Sequence, residues 1–429
     1  MRTPRRQDAK KDAEKRSIAF SWRLPWRLGV LAFVLNSLLL IFRPASAPAQ
    51  DLRVFETAHY RIHTDLDEDL SDDLAHRMDA MYDEYAHRLA DFARTDDSSL
   101  LDVYLVHSQE KYLHLVGITM GGTGGSFNAA RHLLAAFLDG QGRDALRRTL
   151  QHEAFHQFAA ITIGKTIPIW LNEGLAQIFE EGIWTGDGFE LGQVPPRRLR
   201  QLHQDIDDDS LIDFAELLKM PGPQWAAGFR NPTVCATQYN QAWALTHFLI
   251  YALDENGRAK YRSRLINMLK LLRDGADGDT AFRTAFSNNI AGFHDRFLEY
   301  AATLTPTPLA GAIENQGILA DMLVDAARRH RVFSDIAQFR QTAIAEKWRI
   351  NYRRGRVQWE SDPDPGVYFR SPSGNDLTSE EQFLDPAADH PLPDLIFRYG
   401  ALPALRTHFV QVDDKIEHET IVEGTDSRQ

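Results

Sequence analysis

The sequence predicts an α+β fold: a small mixed sheet with helices, then a largely helical half, then a shorter mixed C-terminal region. Three observations carry this reading. Strand-like alternation and helix-like spacing take turns between Val54 and Asp144. A run of helical patterns extends from Tyr239 to Leu304. Past "TPTPLAG" at Thr305, two helical segments precede a hairpin pattern. Apolar residues at alternate positions mark a half-buried strand, and apolar residues one turn apart mark an amphipathic helix.

In chain order, "HYRIHT" (His59–Thr64) alternates as a strand does, and Asp69 to Phe92 carries Leu74, Met78, Met81, Tyr82, Tyr85 and Leu89 at helical spacing. "LLDVYLVHS" (Leu100–Ser108) is a second strand. A glycine-rich stretch from Gly117 to Asn128 leads into the short apolar strand of "ARHLLAAFL". Gly140 to Asp144 breaks that pattern and opens the helix that carries "QHEAFHQF" (Gln151–Phe158). "WLNEGLAQIFEEG" (Trp170–Gly182) reads as a short helix, Ile183 to Phe229 as a loop-rich insert, and "YNQAWALTHFLIYALDE" (Tyr239–Glu255) as a helix followed by two or three more. Beyond Thr305, residues 315–330 and 336–347 read as helices and 348–361 as a hairpin turning near Gly355. The expected divisions are 1–49, 50–182, 183–304 and 305–429.

With 429 residues, 43% hydrophobic and 25% charged, the chain has the composition of an ordinary globular protein of more than one unit. A net charge of -12 argues against nucleic acid as the main partner, because binding phosphates needs a basic face. The first 27 residues carry nine Lys/Arg against three acids, and an uncharged run follows from Leu28 to Phe42. That run is short for a bilayer span of about 20 residues but suits the apolar segment of a secretory signal. Cleavage after Ala49 would leave Gln50 first; an uncleaved anchor, with Trp22 and Trp26 at the interface, is the alternative. Either reading places the bulk of the chain outside the cytoplasm, secreted or in the cell envelope. The single cysteine, Cys235, permits no intrachain disulfide and reads as a buried small hydrophobe.

The chemistry lies in "QHEAFHQF". Residues four apart on a helix share a face, so His152 and His156 can grip one metal ion, with Glu153 close by but not binding it. A catalytic zinc takes three protein ligands. Sixteen residues separate His156 from Glu173, and Gly164 and Pro168 among them allow the helix to stop and a second one to return. On the helix, the positions nearest the two histidines include Ala145, Thr149, Ala159 and Ala160, all small, while Leu146, Leu150, Phe158 and Ile161 fall away and Arg148 sits at the margin.

HExxH followed by W-L-N-E-G-x-A closely resembles the gluzincin metallopeptidases, and within them a bacterial peptidase-MA-like group. The order of elements is similar over roughly 54–304, and the motifs proper cover 151–181 and 239–249. The resemblance implies a thermolysin-like catalytic unit holding one Zn2+ per chain on His152, His156 and Glu173. It implies Glu153 as the base that activates a water on the metal, and hydrolysis of peptide bonds. Aminopeptidase-type members place an oxyanion-stabilising tyrosine just before a helix; "YNQAWAL" resembles that position, giving Tyr239 the role, but lacks the Lys-Gly pair. The G-A-M-E-N signature is missing and "TGGSFNAARHLLAAF" stands in its place, which tilts the expectation toward an endopeptidase and suits pairing with an extended peptide backbone. Gln177, one turn after Glu173, is the candidate to orient a ligand histidine, with a solvated helix face the other reading; Glu180 is weighed as a substitute ligand.

A peptide or protein is therefore the expected substrate, with a possible membrane tether through the N-terminal apolar run. The rival readings are a zinc hydrolase of non-peptide amides or esters, and a catalytically silent envelope-binding or scaffold module. "SQEK" (Ser108–Lys111) matches S-x-x-K without partner motifs, and "DGADGDT" (Asp274–Thr280) reads as a capped turn rather than a calcium loop. His114, His132 and His247 read as surface or satisfied core residues.

Overall fold

In the computed structural model the described residues are 52–92, 99–117, 124–164, 166–354, 357–386, 389–412 and 414–424. The segment expected to be a signal or anchor lies outside them, as does half of the glycine-rich stretch, residues 118–123. No helix among the described residues is long and apolar enough to cross a membrane.

The chain is a mixed α+β structure built around a small mixed sheet. Strands β1 (Arg53–Glu56) and β2 (Tyr60–Thr64) lead into helix α1 (Glu68–Arg88), then β3 (Leu101–Val106) and helix α2 (Gln109–Val116). After β4 (Gly125–Asn128) and β5 (Leu133–Phe137) comes α3 (Arg143–Thr162), the helix of the histidine motif. The sheet order is β1-β2-β3-β5-β4, with β2, β3 and β5 parallel and the two edge strands antiparallel. Asp67 starts α1 by accepting the Leu70 N–H, and Glu68, Asp69, His87 and Arg88 complement its dipole at the two ends. Every residue of β5 is buried, because the sheet is covered on both faces: Leu134 and Ala136 join the main core, while Ala135 and Phe137 pack with Tyr112 of α2.

Helix α2 is absent from the sequence reading. Its N-cap is Ser108, whose side chain accepts the Lys111 N–H, so the S-x-x-K match is a helix cap. Gly117, at φ +74°, ends it in the left-handed region that glycine favours.

Helix α4 (Ile169–Glu180) follows α3, and the strand pair β6 (Ile183–Trp184) and β7 (Phe189–Glu190) leads to α5 (Pro196–Asp207), α6 (Phe214–Lys219) and α7 (Gly222–Ala227). The expected loop-rich insert is thus mostly helical. Prolines at 195 and 196 read as loop, but Pro196 sits at the first helical position, where its fixed φ and missing N–H cost nothing. Helix α8 (Pro232–Tyr251) likewise begins earlier than its apolar pattern suggests, capped by Asn231, so Tyr239 lies two turns inside it. Helices α9 (Arg262–Arg273), α10 (Gly278–Ala285) and α11 (Ile290–Thr303) pack against α8 and its neighbours. Asp277 caps α10 by accepting the Thr280 N–H, which is the capped turn expected of "DGADGDT".

The C-terminal part contains α12 (Pro308–Arg328), α13 (Ile336–Ala345) and a hairpin of β8 (Asn351–Arg354) and β9 (Val357–Glu360). A four-stranded antiparallel meander of β10 (Gln382–Asp385), β11 (Asp394–Phe397), β12 (Leu405–Val412) and β13 (Lys415–Val422) completes it. Leu384, Leu395 and Phe409 of this sheet pack on Leu319 and Leu323 of α12 and Phe339 of α13. The sheet joins the first half through Glu419 of β13, which pairs with Arg147 of α3.

The crossing of α4 on α8 sets the position of Glu173. A Cβ on Gly174 would lie 2.1 Å from Thr246 Oγ1 and 2.5 Å from the Ala242 carbonyl oxygen of α8. Gly174→Ala is expected to force the helices apart and cost about 1–3 kcal/mol. By contrast, Gly317 in α12 has open space around its Cβ position. Gly317→Ala is expected to stabilise by about 0.5–1 kcal/mol through helix propensity. Thermal melts of the two variants should move in opposite directions.

Candidate metal centre

Helix α3 is buried on all sides from Thr149 to Ala159, which leaves its polar residues no access to water. They must find partners within the protein. Gln151 donates to the carbonyls of Phe179, at 2.8 Å, and Gly182, at 3.1 Å, tying α3 to the end of α4. Its own carbonyl accepts from Tyr85 Oη of α1 at 2.5 Å. Gln157 donates to the Asp102 carbonyl of β3 at 3.2 Å. The two glutamines of "QHEAFHQF" therefore fix the helix at two levels.

Between those anchors, His152, His156 and Glu173 meet. The Nε2 atoms of the two imidazoles are 3.1 Å apart, and Glu173 Oε2 lies 3.3 Å from the first and 3.6 Å from the second. His152 is 1% exposed, His156 7% and Glu173 4%, so three lone-pair atoms converge in a dry space. Glu173 Oε2 makes no well-aligned hydrogen bond there, and His156 Nδ1 has no partner either. Burial pushes the Glu173 carboxyl up, but His156 and His152 outweigh it and hold it down at about 2. Burial alone would lower the His152 pKa, yet Glu173 and Glu180 together raise it to about 10. An imidazole between two carboxylates asks for a cation, and a proton or a metal can meet that demand. Two imidazole nitrogens and one carboxylate oxygen, buried and convergent, are a donor set that suits zinc with one position left open.

Glu153 is 1% exposed and is not among the three residues whose ligand atoms converge. Its Oε2 accepts the Phe127 N–H of edge strand β4 at 2.7 Å, and its Oε1 has no partner. Burial pushes its carboxyl above the ordinary value. The Tyr239 phenol is buried, and its Oη accepts from Trp225 Nε1 at 3.2 Å, which leaves the phenol proton available for donation. Burial and then the charge of Glu173 hold its pKa well above the usual value, so it stays protonated. The structure thus brings Glu153, Glu173 and Tyr239 into electrostatic reach of one another, although Tyr239 stands inside a helix rather than before one.

The orienting role expected of Gln177 falls to Glu180. His152 Nδ1 lies 3.0 Å from Glu180 Oε2, while the Gln177 amide donates to the Glu173 carbonyl and accepts from Arg198 Nη1 at 2.7 Å. Seven residues complete almost two whole turns, so Glu180 returns closer to the azimuth of Glu173 than Gln177 does four residues on. This contact sets Glu180 on the Nδ1 side of the ring, apart from the three converging atoms. A carboxylate on the second nitrogen fixes the imidazole tautomer and orientation.

Behind Glu180 lies a buried charge network that sequence reasoning missed. Glu181 Oε2 is 2.8 Å from Arg148 Nη2 and 2.6 Å from Arg197 Nη2, and its Oε1 accepts from Arg198 Nε. Arg148, marginal on the helical projection, thus points from α3 toward the end of α4. Only the clustering of Pro-Arg-Arg at the start of α5 hinted at it. His247 is a satisfied core residue, with Nδ1 2.8 Å from Tyr300 Oη and burial lowering its pKa to about 4. His114 and His132 are exposed.

A family model described as "Protein of unknown function (DUF1570)" matches residues 147–263. The match runs from the first turns of α3 to the start of α9 and spans His152, Glu153, His156, Glu173 and Tyr239. No curated protein matches the chain.

Glu181 sets a test of the network. Burial pushes its carboxyl up, but Arg148, Arg197 and Arg198 outweigh burial and hold it far below the usual carboxylate range. Its charge therefore contributes stability above the unfolded pKa of about 4.3, lost as pH falls toward the lower folded value. Glu181→Gln is expected to cost about 3–5 kcal/mol at neutral pH by leaving buried guanidiniums uncompensated. Denaturant titrations of both proteins should show the gap narrowing below about pH 4.

Proposed function

We propose that the protein is a zinc-dependent metallopeptidase of the gluzincin kind, acting outside the cytoplasm on peptide bonds and probing its substrate as an endopeptidase. The observation that carries this reading is the convergence of His152 Nε2, His156 Nε2 and Glu173 Oε2 with Glu153 beside them but outside the trio. The catalytic unit would be thermolysin-like: the mixed sheet and α3 on one side, α4 and the helices around α8 on the other.

His152, His156 and Glu173 would hold the zinc. When bound, it supplies Lewis acidity toward a carbonyl oxygen and lowers the pKa of a water it holds from about 15.7 to about 7. Glu153 has one oxygen held by the Phe127 N–H and the other without a partner, so Oε1 is the atom placed to take a proton from the attacking water. Its raised pKa suits it to return that proton to the leaving amine. Tyr239, protonated and with its donor proton uncommitted, would stabilise the oxyanion. Strand β4, the outer strand of the sheet, meets Glu153 at the Phe127 N–H, so a peptide laid along its end would come close to the base.

The near-complete burial of all four residues favours a second reading, in which the metal serves stability and the fold serves as an envelope-binding or scaffold module. One substitution separates the two. Glu153→Gln is nearly isosteric and removes no ligand, so zinc content and melting temperature should match wild type, while hydrolysis of a peptide library falls by about 10²–10⁴-fold. A variant with undiminished hydrolysis would falsify the base assignment. A cellular phenotype that survives Glu153→Gln but not loss of zinc would establish the scaffold instead.

Two further outcomes concern the metal. Replacing His152, His156 or Glu173 should remove one equivalent of zinc and lower the melting temperature, because metal binding contributes to folding free energy. Glu180→Gln should keep that zinc but weaken its affinity by about 10–100-fold in competition with a chelator. Equal affinity in wild type and Glu180→Gln would remove the orienting role.

A further inference from the structure

A second group of metal-ligating side chains lies in the C-terminal sheet, on residues that play no part in the centre described above. Asp394, at the start of β11, has a side chain 2% exposed. Its Oδ1 lies 2.6 Å from His390 Nδ1, in the connection before β11, and its Oδ2 lies 2.7 Å from His408 Nδ1 on the neighbouring strand β12. The two rings stand 5.1 Å apart and nearly perpendicular, and the three ligand atoms lie within 4.8 Å of one another.

Charge around this group is unbalanced in favour of a cation. Arg406 Nη1 approaches Asp394 Oδ2 at 3.2 Å but lies closer to Asp385, at 2.9 Å, and its Nε donates to Glu423 Oε1 at 2.6 Å. Arg398 lies 3.7 Å from Glu423. Two guanidiniums thus face three carboxylates, Asp385, Asp394 and Glu423, an excess of one carboxylate over the arginines. Both histidine side chains remain a quarter or more exposed, so an ion can enter and keep a water position.

We propose that His390, Asp394 and His408 form a second zinc site, which clips the connection between β10 and β11 onto strand β12. Two imidazole nitrogens and a carboxylate oxygen, with Zn–N and Zn–O distances of about 2.0–2.2 Å, are a donor set zinc accepts. The metal takes the place of the two Nδ1 protons that otherwise bridge to Asp394: a neutral ring carries its proton on Nε2 instead, and a protonated ring releases one proton to solvent. The partly exposed rings can close on the ion by side-chain rotation, while Asp394 is held by its strand. The site rests on residues independent of the peptidase reading.

Zinc stoichiometry of the protein as the host produces it, measured after equilibration with buffered free zinc, tests the proposal alongside two paired variants. Wild type should bind two equivalents, His390→Asn/His408→Asn one, and His152→Ala/His156→Ala one. If the first centre fails and this one holds, the three values become one, none and one. Zinc content in His390→Asn/His408→Asn equal to wild type overturns the proposal, as does a wild type that takes up no zinc beyond what His152→Ala/His156→Ala removes. Asparagine carries an amide N–H near the place of Nδ1 and so keeps the bond to Asp394 without offering a ring nitrogen. Should the paired variant not fold, the single His408→Asn repeats the test with the same equivalent lost.

Discussion

The burial of α3 on every side from Thr149 to Ala159 is the constraint on which the rest of the structure depends. A helix with no wet face cannot leave a glutamine, a glutamate or a histidine to solvent, so each polar side chain on it has to be answered by another element. Gln151 is answered by the end of α4, Gln157 by β3, Glu153 by the backbone of β4, and Arg147 by Asp73 of α1 and Glu419 of β13. These bonds draw the sheet, α1, α4 and the C-terminal meander onto one helix. Only the inward-facing nitrogens of His152 and His156 are answered by each other and by a carboxylate oxygen without an aligned donor. Three buried ligand atoms facing one another, with the carboxylate oxygen lacking a hydrogen-bond partner, make a place suited to a cation.

Electrostatics extend the same logic outward. His152 lies between Glu173 and Glu180, and Glu180 lies near Arg148 and Arg198, which surround Glu181 with Arg197. Alternating layers of charge let a carboxylate sit on each side of a buried imidazole without a large net charge accumulating. Such networks are costly to break at one member and gain little when assembled, so they act chiefly to fix geometry. The tight passage of Gly174 against α8 serves the same end by steric means: Glu173 is held at the height of the two histidines because its neighbour has no side chain.

The parts of this arrangement that were legible in the sequence are those carried by regular spacing. Strands β2, β3 and β5, helix α1 and the two motif helices appear in the alternation and one-turn repeats of their own residues. The meeting of His152, His156 and Glu173 could be anticipated because it needs only a helical repeat and a break at Gly164 and Pro168. Less legible was anything decided by neighbours. Helix α2 is too short to establish a period, and Ser108 was visible only as a stray motif. Prolines at 195, 196 and 232 concealed helix starts, since a proline looks like an interruption until the helix after it is seen. The strands of the C-terminal meander, two of them four residues long, sit between Pro- and Asp-rich turns and give almost no alternation to read. Glu180 stands out in the sequence only as a possible ligand, because its place behind His152 depends on how α4 is rotated against α3.

The central claim is that a zinc ion belongs between α3 and α4. Anomalous diffraction at the zinc edge, from crystals of the zinc-equilibrated protein, tests it most directly. The account predicts a peak about 2.0–2.2 Å from His152 Nε2, His156 Nε2 and an oxygen of Glu173, with Glu153 outside that distance. A zinc-equilibrated crystal with no peak at this position, and with the two imidazoles still facing each other across it, would contradict the account.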